Sequence, residues 1–474
     1  MFRCLVSQRF LAVVFPAAAL VGCSAATAYG QVAAPPAGAA KTLSAPVLRA
    51  DSSELGIQIP QGEPKPAGGR RVLVNSDDDQ SVVANVLVEV GDRFVVIMPD
   101  GRLQAVPSAG ATVTDRPFVP ATVKEVTNNL AYKYPGLTIK STKHFVYCYN
   151  TSPLFYQGTS QILESLYPGL MNLLKSRKFE VADSPYPLVV VMFRTREEWA
   201  RYMHGAVADS VTAIYDGVSN RVLMYEQSDL GEAVPEFAQK MLISTVAHEG
   251  VQQILHNIGV RRRLSQWPKW ISEGLPEYLA PTSTGKTNRW KGAGQVNDLR
   301  MLSIDRMLKA NVAEFSAVDR ILLNDELDAD GYAWAWALSH YLGEKKKEPF
   351  FKYLAEVAKL GPLEKMDPSK QEQLFATHFG TDRNKLSSEM VAHLRKLPYV
   401  DPIENLTHYV ILYRYIRSGT LYTGHAVTAS KTAVDKTRED LRARLPPDVQ
   451  QTAQFEVRPF PTRTQALQFA QSLR

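Results

Sequence analysis

The chain has 474 residues, of which 45% are hydrophobic and 22% are charged, and its formal net charge is +6. This length predicts two or three domains with a sizeable core, and the weak, evenly spread positive charge argues against a nucleic-acid partner. Of the three cysteines, Cys4 and Cys23 lie in the first thirty residues. Cys148 is left alone in the folded part, where it is predicted to be a small buried strand residue, and no intrachain disulfide framework is predicted.

Residues 1–30 have the pattern of a secretory signal peptide. Arg3 and Arg9 provide a basic beginning, and Phe10 to Leu20 form an apolar stretch that is too short to span a membrane. The sequence therefore predicts an exported protein.

Two cleavage sites compete at the end of this segment. Leu20-Val-Gly-Cys23 has the form of a bacterial lipobox at residues 20–23, in which Cys23 carries lipid and becomes the mature N-terminus. Ala26-Thr-Ala28 offers an ordinary small-x-small site instead. The lipobox is the more specific signal, so we predict a lipoprotein that touches the membrane only through its N-terminal anchor. A soluble periplasmic or secreted protein is the alternative.

Residues 31–69 are rich in Ala, Pro, Gly and Ser without a sustained period, which predicts a flexible linker. Residues 70–115 contain four or five short β-rich runs, with turns at Gly91-Asp92 and Asp100-Gly101. This pattern predicts a small SH3-like β barrel. Because it contains no catalytic constellation, we interpret it as a spacer or docking module.

Residues 120–398 predict a central α+β domain. Leu188 to Phe193 form a continuous apolar run, which is typical of a strand buried on both faces. Thr195 and Glu198 then form a capping box at the start of a helix. Val211 to Tyr215 and Arg221 to Glu226 predict a hairpin, and a long helix follows from about Glu236 to Asn257.

Residues 405–474 predict a separate small domain of order ββαβα. Its hairpin turns at Ser418-Gly419, and its last helix begins at a Thr462/Gln465 capping box. The predicted fold class is therefore multidomain α+β.

The long central helix carries the sequence His248-Glu-Gly-Val-Gln252. In the H-E-x-x-H motif of zinc peptidases, two histidines one turn apart bind the metal and the intervening glutamate acts as the base. Here the second histidine position holds Gln252. The following segment, Trp270-Ile-Ser-Glu-Gly-Leu-Pro-Glu-Tyr278, offers Glu273 as a third ligand from the next helix.

These segments resemble a peptidase-MA-like gluzincin family that is abundant in planctomycete bacteria, domain of unknown function fifteen-seventy. The resemblance runs from about residue 120 to 397. It implies a zincin fold with metal ligands at His248, at the Gln252 position and at Glu273, and with Glu249 as the catalytic base.

The resemblance also suggests two sets of substrate-contacting residues. Tyr332 lies in an aromatic helix that supplies a transition-state hydrogen bond in such enzymes, although core packing is the simpler explanation of this spacing. Val222 and Met224 lie in a strand that we interpret either as the edge that binds an extended peptide or as a covered sheet edge.

Gln252 weakens the implied metal site. Its neutral amide oxygen replaces the imidazole nitrogen that zinc prefers, and a loss of at least about 10- to 100-fold in affinity is expected. His256 is too far away, at about 12 Å along the helix. Ligands from elsewhere, such as His340 or His204, remain open, as does a plain buried hydrogen-bonded cluster.

Three hypotheses follow. The preferred one is a peptidase-like protein whose degenerate site binds zinc weakly or not at all. It is inactive or nearly so, and it binds peptide or another envelope polymer in its cleft. The second is an active zinc peptidase, and the third is a structural envelope scaffold. The sequence predicts no oligomeric state.

Overall fold

The structure is a computed structural model that describes residues 62–75, 81–203, 211–226, 235–283, 288–310, 317–322, 324, 326–429, 431 and 433–473. The predicted signal peptide, Cys23, most of the linker and His204 lie outside the described residues. The protein is mixed α+β with several sheets. Its described part forms two compact units, one of residues 62–226 and 240–399 with gaps, the other of residues 235–239 and 400–473 with gaps. None of its described helices combines the length and apolarity that crossing a membrane would require.

The first unit begins with a six-stranded antiparallel sheet. Its strands are β1 Lys65–Pro66, β2 Arg71–Asn75, β3 Ser81–Val90, β4 Arg93–Ile97, β5 Leu103–Pro107 and β6 Thr112–Val113. Their order is β5-β4-β3-β2-β6, and β1 pairs with β3. A register shift between Val86 and Val88 divides β3, so the sheet has two apolar clusters. One holds Val72 and Phe94, and the other joins Val88 to Leu264 and Leu363 from later in the chain.

A five-stranded sheet follows. Its strands are β7 Thr138–Ser141, β8 Phe145–Tyr149, β9 Leu188–Phe193, β10 Ala213–Asp216 and β11 Arg221–Tyr225, in the order β10-β11-β9-β8-β7. Strands β8, β9 and β11 are parallel, and the two outer strands are antiparallel to them. Every residue of β9 is buried, which confirms the prediction from its apolar run. Cys148 is buried in β8, and this burial raises the pKa of its thiol to about 12.

The prediction of an edge strand at Val222 and Met224 was wrong. Both residues lie in β11, which is hydrogen-bonded to β10 on one side and to β9 on the other. Both side chains are fully buried. The edge strand is β10, because the hairpin returns the chain inward and inserts its second strand next to β9.

The helices of the first unit pack against this sheet and against one another. They are α1 Val123–Lys133, α2 Pro153–Ser176, α3 Arg196–Tyr202, α4 Pro235–Asn257, α5 Lys269–Leu279, α6 Asp298–Lys309, α7 Ala317–Leu322, α8 Ala329–Lys345, α9 Lys347–Val357, α10 Pro368–Phe379 and α11 Arg383–Leu394, and a two-stranded ribbon of β12 Thr282–Ser283 and β13 Arg289–Trp290 follows α5. The Thr195/Glu198 capping box at α3 is present as predicted. Fully buried large side chains from three of these elements, Trp199, Trp270 and Trp336, show how complete this core is.

The second unit contains a three-stranded antiparallel sheet. Its elements are β14 His408–Arg417, β15 Thr420–Thr428, α12 Ala433–Arg444, β16 Gln454–Phe460 and α13 Arg463–Gln471, with the strand order β15-β14-β16. Successive residues of β14 serve opposite faces of the sheet. Val410 packs with Ala466 of α13, and Ile411 packs with Leu441 of α12. The element order is ββαβα.

Candidate functional site

Helices α4 and α5 bring the two sequence motifs together. Gly274 allows α5 to pack against α8, since a Cβ atom at this position would lie 2.4 Å from the carbonyl oxygen of Ala335 in α8. Because real Cβ atoms do not approach backbone so closely, only glycine allows α5 to lie directly against α8. The Trp270–Tyr278 segment is buried at every position from Trp270 to Leu279.

His248 lies between two carboxylates of α5. Its Nδ1 is 3.0 Å from Glu277 Oε1, and its Nε2 is 3.4 Å from Glu273 Oε2. Burial alone would lower the pKa of His248, but the hydrogen bonds to Glu273 and Glu277 outweigh burial and raise it. The imidazole is thus held as a cation that donates toward both carboxylates.

Glu277 is a central acceptor that the sequence analysis missed. Besides His248 it accepts hydrogen bonds from Asn297 Nδ2, at 2.8 Å, and from the guanidinium of Arg300. Burial opposes its ionisation, yet the charge of Arg300 and the bond to His248 lower its pKa to about 2. One signal was available: Glu277 follows Glu273 by four residues, which places both carboxylates on the same face of a helix.

Gln252 has both ends of its carboxamide occupied. Its Nε2 donates to the carbonyl oxygen of Ser272 at 3.1 Å, and its Oε1 accepts from Arg261 Nη1 at 3.0 Å. The Arg261 guanidinium also lies over the ring of Trp267, 5.3 Å from the centroid. The position of the second histidine is therefore filled by an amide that is bonded to a cation.

Lys269 adds a second cation beside this position. Its Nζ donates to Glu273 Oε1 at 2.9 Å, one helical turn away on α5. Burial raises the pKa of Glu273, but the charge of Lys269 and the bond to His248 outweigh it and hold this pKa well below its usual range. Lys269 was not singled out from the sequence. The cluster Arg261-Arg-Arg263 was predicted to be a solvated helix end, which was wrong for Arg261, because its guanidinium is bonded to Gln252.

Glu249, the predicted base, points to the sheet. Its Oε2 accepts from the backbone N–H of Tyr215 in the edge strand β10, at 2.7 Å. Burial raises the pKa of Glu249 to about 7, although the charge of His248 and the bond from Tyr215 oppose this rise. Burial thus favours the neutral form of this carboxyl group.

The remaining candidates fall in different places. Tyr332 is fully buried beside the cluster, with the Arg300 guanidinium over its ring at 5.3 Å. His340 is engaged elsewhere, since its ring nitrogens lie 3.1 Å from His393 Nε2 and from the carbonyl oxygen of Gly294. His256 is half-buried, with its ring 5.2 Å from the ring of Tyr215.

The residues present do not fit a zinc ion. Two atoms at ~2.0–2.1 Å from a tetrahedral zinc lie about 3.3–3.4 Å apart, and His248 Nε2 and Glu273 Oε2 keep this spacing at 3.4 Å. A structural or catalytic site needs at least one more protein donor. The third position offers only the Gln252 oxygen, which already accepts from a guanidinium. Across the residues that the structure describes, no group of three His, Cys, Asp or Glu side chains is arranged to hold a metal.

Comparison with known proteins found similarity to solved structures and to one protein family. Among solved structures, the chain is similar to a two-domain M1 zinc metallopeptidase variant bound to L-arginine, at 12% identity and a TM-score of 0.26 over 54% of this chain and 51% of the other. It is also similar to an M1 zinc metallopeptidase variant from Deinococcus radiodurans, at 10% identity and a TM-score of 0.26 over 69% and 61%. The chain thus spans between half and two thirds of the length of these structures.

No curated protein matches the chain. Residues 242–364 match the family described as "Protein of unknown function (DUF1570)". This match confirms the resemblance to that family for the part of the chain that carries both motifs.

Proposed function

We propose that the chain is a peptidase-like protein that has lost hydrolysis, wholly or nearly, and that binds peptide or another envelope polymer without cleaving it. One observation carries the loss of hydrolysis: the Gln252 oxygen at the second ligand position accepts a hydrogen bond from Arg261. The position of the second histidine therefore holds an amide whose oxygen is already bonded to the Arg261 guanidinium.

The charges around the position reinforce this proposal. A zinc ion between His248 and Glu273 would lie close to both the Arg261 guanidinium and the Lys269 ammonium. Like charges about 4 Å apart repel by about 4 kcal/mol per unit-charge pair near a protein surface. The two side chains supply the positive charge that a metal would otherwise give to Glu273, so the carboxylate is satisfied without metal.

The binding half of the proposal rests on the sheet. The strand available for pairing with an extended chain is β10 rather than β11, and its Tyr215 N–H now donates to Glu249. A bound peptide would have to displace Glu249 from this N–H to pair along the edge. We therefore propose that Glu249 blocks pairing along the edge strand until a peptide displaces it, and that it does not act as a base.

A second candidate function is an active zinc peptidase, and the 3.4 Å spacing of His248 Nε2 and Glu273 Oε2 favours it. Glu249 would then be the general base. The third hypothesis, a structural envelope scaffold, predicts neither metal nor peptide binding.

Zinc content tests the proposal most directly. We expect wild-type protein to purify with little zinc, Gln252→His to gain only part of it, and the double variant Gln252→His/Arg261→Gln to approach one zinc per chain. Inductively coupled plasma mass spectrometry after dialysis measures this, and Glu273→Ala in the double variant is the matched control that should lose the metal. Near-stoichiometric zinc in wild type that disappears in Glu273→Ala would promote the active peptidase.

Turnover and binding separate the remaining hypotheses. We expect no cleavage of a broad peptide library by wild type, and equal or tighter peptide binding by Glu249→Gln, since a neutral amide holds the Tyr215 N–H less strongly than a carboxylate. Metal-dependent cleavage that vanishes in Glu249→Gln would overturn the proposal. Absence of peptide and glycan binding by both proteins would favour the scaffold.

Export through a lipid anchor is proposed from the sequence alone. Cys23→Ser should move the protein from the membrane fraction to the soluble fraction while its thermal unfolding stays unchanged, because the linker separates the anchor from the folded units. Unchanged fractionation with a mature N-terminus at Tyr29 would support the ordinary cleavage site.

A further inference from the structure

A cavity of about 700 Å³ lies apart from the motif residues. Its walls come from the N-terminal sheet, the segment that leads into α1, α1 itself, and the beginning of the β11 strand. Its charged lining residues include Asp100, Arg102, Arg116, Glu125 and Arg221. A volume of this size is in the range of small-molecule binding sites, about 300–1,000 Å³.

Arg221 lines this cavity and carries an unusual charge. It is only 4% exposed, and its Nη1 donates to the Tyr134 hydroxyl at 2.9 Å. Among the residues that the structure describes, no carboxylate forms an ion pair with it. Burial raises the pKa of Tyr134, which keeps this partner a neutral phenol. A buried guanidinium without a counter-charge is costly, so an anion that enters the cavity would be bound favourably.

The two carboxylates of the cavity already have partners. Asp100 accepts from Arg102 Nε at 2.6 Å, and Glu125 accepts from the Thr122 N–H at 2.7 Å in the capping box of α1. Neither carboxylate pairs with Arg221 within the described part of the chain.

Two further groups lack partners at the same place. Ser219 lines the cavity, and its buried hydroxyl has no hydrogen-bond partner among the described residues. Arg116 is exposed at the rim, and the structure gives its guanidinium no ion pair within the described residues. Two cations, the buried Arg221 and the exposed Arg116, thus line one cavity.

We propose that this cavity binds a small organic acid whose carboxylate pairs with Arg221. Tyr134 uses Nη1, so the Nε and Nη2 edge of the guanidinium remains for the two oxygens of a carboxylate, the fork geometry that arginine favours. The apolar wall of Val83, Pro117 and Val126 takes the hydrocarbon part of the ligand. This site is independent of the motif and of the proposed function.

Calorimetric titration of the full-length protein tests the proposal, with benzoate, glucuronate and citrate as organic acids and inorganic phosphate as an anion without a carbon skeleton. We expect at least one organic acid to bind with a Kd below about 1 mM, and Arg221→Gln to weaken it at least tenfold, since one lost charge-assisted pair is worth about this factor. Arg116→Gln should weaken binding about threefold, by loss of a rim charge. Arg414→Gln, an exposed arginine of the second unit, is the control and should change nothing.

Arg221→Gln is a buried substitution, so a second variant guards against misfolding. Ala121→Trp adds bulk to the wall of the cavity and leaves Arg221 in place. It should abolish organic-acid binding while circular dichroism stays that of wild type. Failure of all three acids to bind wild type at 10 times that concentration would overturn the proposal. Unchanged binding in folded Ala121→Trp, or binding of inorganic phosphate alone, would overturn it as well.

Discussion

Two buried arginines of the first unit show how differently one protein manages charge. Arg300 is 1% exposed and forms an ion pair with Glu277, which is itself bonded to His248 and Asn297. Arg221 is 4% exposed and has a phenol as its hydrogen-bond partner. The first charge is satisfied by the chain itself, while the second lines a cavity without a counter-charge. An internally satisfied cluster indicates a structural role, and an incomplete one indicates a ligand.

Matched substitutions at the two arginines should give the largest difference in unfolding free energy. Arg300→Met removes one partner of a buried pair and leaves Glu277 short of a counter-charge, so we expect a loss of about 3–5 kcal/mol in unfolding free energy. Arg221→Met removes an unpaired charge and leaves the Tyr134 hydroxyl bonded to Tyr202 at 2.7 Å. Its effect should stay within about 1 kcal/mol, of either sign. Urea unfolding of both variants without ligand measures the difference.

Equal losses in the two variants would contradict this contrast and would mean that Arg221 has a counter-charge of its own. As a further check, an organic acid that binds wild type is added to both proteins. It should stabilise wild type and leave Arg221→Met unchanged, because only a protein that binds the ligand gains stability from it.

Packing provides a second contrast. Gly274→Ala places a Cβ atom 2.4 Å from the Ala335 carbonyl oxygen, so α5 and α8 must separate, at a cost of about 1–3 kcal/mol. Gly217→Ala is the control, since no atom lies within 4 Å of the added Cβ. Thermal unfolding should show a clear drop for the first variant and a shift near zero for the second. A tolerated Gly274→Ala would mean that the motif helices pack less tightly than the structure has them.

The pH dependence of stability should reflect the burial of Glu249. Burial raises the pKa of Glu249 from 4.5 to about 7, so the folded protein binds this proton more tightly than the unfolded chain. Its contribution is fully present below pH 4.5 and is lost as pH rises through 7. Glu249→Gln removes this dependence, so we expect the variant to gain about 2–3 kcal/mol relative to wild type between pH 5 and pH 8. Unfolding at both pH values measures it, and a constant difference between the two proteins would show that Glu249 keeps an ordinary pKa.

Much of the local structure could be predicted from the sequence, because it depends on residues that are close in the chain. The buried run Leu188 to Phe193, the capping box at Thr195 and the turn at Ser418-Gly419 lie where expected. The last capping box is present only in half, since Thr462 accepts from the Gln465 N–H and no reciprocal bond closes it. The order of strands in the central sheet could not be predicted, because a hairpin pattern does not say which of its two strands pairs with the rest of the sheet.

The motif itself was readable, but its state was not. Sequence spacing placed His248, Gln252 and Glu273 together, since residues one turn apart converge on one side of a helix. It contained no sign that Arg261 bonds to Gln252, because Gln252 lies in helix α4 and Arg261 lies in the loop that follows this helix. That contact decides whether the third ligand is merely weak or is already occupied.

The elements, the motif helix and the absence of its second histidine could all be read from the chain, because periodicity, capping and i, i+4 spacing are local properties. Two facts depend on the folded arrangement. The motif cluster is satisfied by Glu277, Arg300, Arg261 and Lys269, and Arg221 lies at a cavity without a carboxylate partner among the described residues. Charge pairing acts through space, between residues that the chain order keeps far apart, and the cost of burying a charge appears only once the fold has excluded water from it.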